Sequence, residues 1–264
     1  KGFGRSGGME LSEENLDRED GFPIISDEVR MDKFRRSRVT IFTGAFGSGK
    51  TELSANFAAK LSDEYERVSL LDVDIVKPLF RSRELKSSMG KRNVKVVSTI
   101  PKLEMSDLPA LSPEIFSSLE GDSCQVVMDV GGDDDGARVL GMFRDKINRA
   151  GYDMLYVINT RRPFTSSVEE VMFMLEGVKQ ACRIDVHGIV ANTNLGAEST
   201  LDMALEGLEV IREVSKLSGI PVRFICINRP AIKDMDEIRS LSVSERLPVF
   251  IMDRFMLPPW EKEE

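Results

Sequence analysis

GAFGSGKT, residues 44–51, stands between an apolar run, RVTIFT (38–43), and a helix-like stretch, ELSANFAAKLSDEYE (52–66). The octet satisfies G-x-x-x-x-G-K-S/T in full, and with ordinary residue frequencies a chance match in 264 residues is about one in a hundred. Its surroundings sharpen the assignment. An apolar strand leads in and a helix leads out, so the backbone N–H groups of Phe46 to Lys50 can turn inward around a β-phosphate at the positive end of the helix. Gly44, Gly47 and Gly49 allow close backbone approach. Gly44, Ala45, Phe46, Gly47, Ser48, Gly49, Lys50, Thr51 and Glu52 are therefore the expected nucleotide-binding residues. Lys50 is expected to reach the β and γ oxygens and to take part in catalysis, with the Thr51 hydroxyl as a Mg²⁺ ligand.

Working outward, seven further β-rich runs follow: 67–73, 93–98, 124–130, 153–159, 184–192, 221–228 and 248–252. Most are continuously apolar rather than alternating, which suits strands covered on both faces. Between them lie segments with helical spacing, such as SSVEEVMFMLEGVKQA (166–181) and STLDMALEGLEVIREVSKLSG (199–219). Alternating βα units predict an α/β fold, a doubly wound and mostly parallel sheet with helices on both faces. The expected division is an N-terminal arm over 1–37 and a P-loop domain over 38–264. The Gly-rich opening KGFGRSGG before Met9 has two readings, a remnant of expression cloning with Met9 the natural start or a native lead-in. Residues 10–37, acidic and then basic with little period, are expected to form an extended arm or flexible lead-in.

Two acidic strand ends complete the phosphate site. In CQVVMDVGG an apolar strand carries Asp129 to its C-terminal edge, where α/β sheets bind ligands, and Asp129 is the expected Walker B carboxylate, reaching Mg²⁺ through water. In SLLDVDIVKP, Asp72 and Asp74 are two apart at the end of the strand after the P-loop helix. One would tune the Mg²⁺ shell and the other orient attacking water; a solvated turn before Pro78 is the alternative.

Composition excludes several classes. A net charge of −8 disfavours a general nucleic-acid binder, which needs a basic surface. With one histidine, His187, a histidine triad or mononuclear zinc site has no raw material, and His187 is expected in the core or on the surface. The three dispersed cysteines suit buried free thiols and a reducing cytoplasm. No run approaches the ~20 apolar residues of a membrane span. A cytoplasmic protein with no membrane span is the expectation.

The order of strand, P-loop, helix, strand ending LLDVD and later strand ending VMDVGG resembles the SIMIBI class of P-loop NTPases, which contains MinD/ParA partition ATPases, nitrogenase iron protein, cobyrinate amidases, dethiobiotin synthetase and nickel-chaperone GTPases. FGSGKTE, DVDIVKPLFRSRE, DVGGDDDGAR, RPFT, NLG and MLPPWE also resemble a little-characterised group of bacterial ATP-binding proteins in that class. The resemblance covers roughly residues 38–260. It implies Asp74 as the catalytic, water-orienting acid, with Thr51, Asp72 and Asp129 on the metal side. MinD and ParA carry a lysine after the first P-loop glycine that crosses a dimer; here Ala45 stands in its place, so Arg81, Arg83 or Arg138 would have to supply that charge, unless each is a surface or ion-pair residue.

Guanine selectivity in this class uses N-K-x-D, whose Asp accepts from guanine. The matching strand end reads ANTNLG, with Asn192 retained but Thr193 and Leu195 replacing Lys and Asp, so ATP is favoured over GTP. The resemblance makes Asn192 an adenine contact, with Asn228 to Pro230 either a second contact or a simple turn. The expected cofactors are ATP and Mg²⁺. The leading functional expectation is a nucleotide-switch ATPase acting on a protein partner or as a homodimer. The alternatives are an ATP-dependent small-molecule kinase or ligase and a cofactor or metal-centre maturation factor.

Overall fold

The computed structural model describes residues 23–73, 89–98, 113–121, 123–132 and 134–256, with backbone alone at 134, 135, 137 and 138. All eight apolar runs become strands: β1 (Val39–Thr43), β2 (Val68–Asp72), β3 (Val94–Ser98), β4 (Gln125–Asp129), β5 (Tyr152–Ile158), β6 (Gly188–Ala191), β7 (Val222–Asn228) and β8 (Val249–Met252). They form one parallel sheet in the order β3-β2-β4-β1-β5-β6-β7-β8. The strand expected over 184–192 begins only at Gly188. Ahead of it the Asp185 N–H donates to the Tyr152 hydroxyl at 3.0 Å, a side-chain bond in place of a ladder bond.

The helices among the described residues are α1 (Lys50–Glu64), α2 (Pro113–Glu120), α3 (Asp134–Met142), α4 (Arg144–Ala150), α5 (Val168–Cys182), α6 (Leu201–Ser218) and α7 (Met235–Glu245). Local chemistry sets their ends. A reciprocal capping box of Ser167 and Glu170 starts α5, Thr200 caps α6, and Gly219 closes α6 at φ 72°. Strands buried on both faces separate two hydrophobic clusters. One face carries α1 with Leu53, Phe57 and Leu61; the other receives the apolar stripes of α2 to α7. In α5 that stripe is Val171, Leu175 and Val178, with Met172 partly buried, whereas Phe173 points outward.

Residues 23–37 differ from the arm expected for them. Ile25 bridges to Val249 on the outer edge of β8, and the Ser26 N–H donates to the Val249 carbonyl at 3.0 Å. Met31 and Phe34 are buried, and the Phe34 ring meets Phe224 and Phe250, each at 5.5 Å between centroids. The charged letters of this stretch hid three anchors, Ile25, Met31 and Phe34, that the β8 side of the sheet requires for cover.

The chain leaves β1 toward β2 and β3 on one side and returns from β4 to β5 on the other. Directions therefore reverse around β1, and the crevice outside the carboxyl ends of β4, β1 and β5 is the topological position for a ligand.

Candidate functional site: the phosphate loop and the strand ends around it

β1 delivers the chain at Thr43 into the loop, and α1 begins at Lys50. Gly47 and Gly49 adopt left-handed φ of 79° and 87°, where a side chain would be strained. The Ser48 N–H donates to the Ala45 carbonyl at 3.0 Å and closes the turn. Gly49 at the N-cap supplies no side-chain bond, so no cap competes for the first amides of α1. Lys50 and Thr51 are buried at 4% and 5% exposure. The Ser48 hydroxyl is buried with no hydrogen-bond partner, an orphan donor inside the loop. A cradle closed by glycines, with an orphan hydroxyl and a buried lysine, fits a phosphate group.

Neighbouring loops hold this cradle at very short range. A Cβ on Gly44 would lie 2.3 Å from the Val157 carbonyl oxygen of β5, and one on Gly132 would lie 2.0 Å from the Gly44 carbonyl oxygen. Gly132 thus lets the loop after β4 cross the P-loop backbone to backbone.

Asp129 at the end of β4 and Asp72 at the end of β2 are register partners on adjacent parallel strands, so their side chains leave the same face side by side. Both are buried, at 2% and 4% exposure. Phe42 of β1 is the partner of Asp129 on its other side, which brings the pair next to the P-loop strand. Two buried acids beside a buried lysine and threonine form the donor set expected of a phosphate and Mg²⁺ site. Among the described residues no three Asp, Glu, His or Cys side chains gather to hold a metal by themselves. Asp74, Arg81 and Arg83 lie outside the described residues, and Arg138 lies within α3 with its side chain outside them.

Two of the expected nucleotide contacts, Asn192 and Glu52, bond within the protein. Asn192, at 1% exposure, donates from Nδ2 to the Ser48 carbonyl at 2.7 Å, and its Oδ1 accepts from Asn194 at 3.1 Å. Its amide braces the back of the P-loop. Asn194 in turn donates to the Asn192 carbonyl at 2.9 Å, and Asn159 Nδ2 donates to the Asn194 carbonyl at 3.0 Å, so the ends of β5 and β6 are tied to the loop. Glu52 accepts the Phe255 and Met256 N–H groups with its carboxyl and so fastens the chain after β8 to the start of α1. Burial pushes the Glu52 carboxyl up to about 7, against the opposing pull of those two amides. Asn228 donates to the Gly196 carbonyl at 3.3 Å and to the Ser199 hydroxyl at 3.2 Å, bracing the loop that carries Leu195.

One cation by the loop was not singled out from the sequence. Arg162, in the turn after β5, lays its side chain along Gly47: a Cβ there would meet Arg162 Cδ at 3.3 Å and Nε at 3.5 Å. The available signal was the RPFT stretch, but strand order is needed to bring it beside β1. His187 sits at the amino end of β6, away from the P-loop, half-buried, accepting the Met154 N–H at 3.3 Å and lying against Tyr152.

Comparison with known proteins agrees with this architecture. The family described as CobQ/CobB/MinD/ParA nucleotide binding domain matches residues 39–233. No curated protein sequence matches the chain. Among solved structures, the cell division protein FtsY of Thermotoga maritima is similar at a TM-score of 0.53 and 20% identity, over 87% of this chain and 72% of that one. FtsY of Mycoplasma mycoides is similar at 0.52 and 18%, over 83% and 70%. At these identities the two structures speak for the fold alone. The family match spans the P-loop, both strand-end acids and the Asn192 brace, and the chain is accordingly a member of the CobQ/CobB/MinD/ParA nucleotide-binding family, a P-loop NTPase of the SIMIBI class.

Proposed function

We propose that the protein is a Mg²⁺-dependent ATP-binding switch ATPase that acts on a protein partner or as a homodimer. One observation carries the reading: Lys50 and Thr51 emerge buried from a glycine cradle beside the in-register acids Asp72 and Asp129. In it, the amides from Phe46 to Lys50 and the Lys50 ammonium bind the β- and γ-phosphates. Mg²⁺ held there would neutralise charge between those phosphates. Thr51, Asp129 and Asp72 would hold it, Thr51 through its hydroxyl and the two acids through their carboxylates. Asp74, by the family resemblance, orients the attacking water.

ATP is favoured over GTP because Leu195 stands where a guanine-reading carboxylate would be, and unpaired guanine donors cost about 1–3 kcal/mol. A switch role, rather than transfer to a small molecule, is supported by how closely the β4 loop crosses the P-loop. With Gly132 against the Gly44 carbonyl, a change at the phosphates is transmitted directly to the start of α3.

Calorimetry with Mg-ATP and Mg-GTP on the parent and on Lys50→Ala tests the reading. The parent should bind ATP more tightly than GTP, and Lys50→Ala should lose most ATP affinity and all turnover. Unchanged turnover in Lys50→Ala would remove the phosphate-site assignment, and tighter GTP binding would remove the base assignment.

A further inference from the structure

We propose that Arg162 is a second phosphate-binding cation, reaching from the turn after β5 onto the P-loop to contact the terminal phosphates of the bound nucleotide. The proposal rests on the nucleotide-binding reading above and adds to it a residue that the P-loop motif does not contain.

Three observations converge. The first is position. The Arg162 stem runs along Gly47, close enough that a Cβ at Gly47 would touch Cδ and Nε, and Gly47 lies in the part of the loop whose amides turn toward phosphate. The second is an unmet donor. Arg162 Nε is buried without a hydrogen-bond partner, and among the described residues its guanidinium forms no ion pair. Other arginines are satisfied: Arg161 next to it pairs with Glu206, and farther off Arg223 pairs with Asp153 and Arg229 with Asp27 and Asp253. A buried N–H left without an acceptor is destabilising, so an arginine kept in this state beside an anion cradle points to an anion as the missing partner. A planar fork of five donors matches two phosphate oxygens in a way that a lysine does not.

The third observation is that the turn is braced in advance. The Thr165 hydroxyl donates to the Asn159 carbonyl at 2.8 Å, the Thr165 N–H donates to the Arg162 carbonyl at 3.3 Å, and the Arg161 N–H donates to Asn159 Oδ1 at 3.0 Å. Phe164 is held at φ 66°, a conformation that a bulky residue adopts only where its surroundings enforce it. Asn159 also donates to the Asn194 carbonyl of the β6 loop, which Asn192 ties to the Ser48 carbonyl, so arginine and cradle share one framework. Pre-organisation of this kind lowers the entropy lost when the side chain engages a ligand. Ala45 leaves the loop without a cation of its own apart from Lys50, and Arg162 supplies a charge to the same anion from a neighbouring strand.

The test measures affinity for Mg-ATP and Mg-ADP by calorimetry in the parent, Lys50→Ala, Arg162→Ala, Arg162→Gln and Arg162→Lys, with a thermal melt for each. Both Arg162 variants should weaken ATP binding about tenfold or more and ADP binding less, with Arg162→Lys recovering part of the loss. A purely structural arginine would lower the melting temperature and weaken both nucleotides alike. If the parent binds ATP and Lys50→Ala does not, yet Arg162→Ala and Arg162→Gln bind within twofold of the parent, the Arg162 assignment alone is overturned. If the parent binds no nucleotide, both readings fall together. Should Arg162→Ala not fold, Arg162→Gln, which keeps most of the stem along Gly47, decides the matter.

Discussion

Glu52 follows the P-loop threonine, yet its carboxyl serves the far end of the chain. It accepts the amides of Phe255 and Met256, and its burial raises its pKa from the ordinary 4.5 to about 7. A carboxyl whose pKa is higher in the folded state than in the unfolded state holds its proton more tightly when folded. Its contribution to stability is then complete below about pH 4.5 and is lost as pH rises through about 7. Chemical denaturation of the parent should show a stability component that falls between those pH values, and Glu52→Gln should flatten it; an identical pH slope in the two proteins would refute the coupling. Asn192 makes the same point about residues and their neighbours. ANTNLG marks a strand end at which an asparagine is retained, but the atom that its amide meets, the Ser48 carbonyl, comes from 144 residues earlier in the chain.

At the scale of elements, the sheet was legible because strands buried on both faces are largely apolar, as LL in β2 and VVM in β4 are ahead of their closing aspartates. The P-loop and the two strand-end acids were legible because the chemistry dictates residue type and local spacing at once. Arg162 was not, since Thr43 and Tyr156 become partners only through strand order, which no local pattern encodes. Nor were Ile25, Met31 and Phe34, whose stretch has no period because it follows the outline of the sheet edge rather than a helix or strand of its own. The contact between the β4 loop and the P-loop yields a prediction at this scale. A methyl on Gly132 would come 2.0 Å from the Gly44 carbonyl oxygen, far inside contact distance and against backbone. Gly132→Ala should therefore separate the two loops, weakening nucleotide binding about tenfold or more while most of the sheet stays folded. Calorimetry beside circular dichroism checks this, and parent-like affinity would show that the loops are not coupled. Gly177→Ala, in open space on α5, is the matching control.

Among the described residues the molecule is asymmetric about its sheet. Six of the described helices cover one face, while α1 shares the other with the segment around Met31 and Phe34. That segment is a structural part of the body. Phe34→Ala should destabilise the protein by about 3–5 kcal/mol, as loss of a fully buried aromatic does, whereas Asp32→Ala one turn away should change stability little. Equal melting temperatures for the two variants would mean that the segment is dispensable. Its attachment also has a consequence for how copies of the chain behave toward one another. Ile25 and Ser26 occupy the outer hydrogen-bonding edge of β8, a row of backbone donors and acceptors that would otherwise accept any extended strand. At the other end of the sheet β3 is short and presents an exposed lysine, Lys95, which discourages such pairing. A chain trimmed to begin at Arg38 would therefore be less stable and would also carry an open, largely apolar strand edge, and its first failure on warming would be intermolecular β-association rather than simple unfolding.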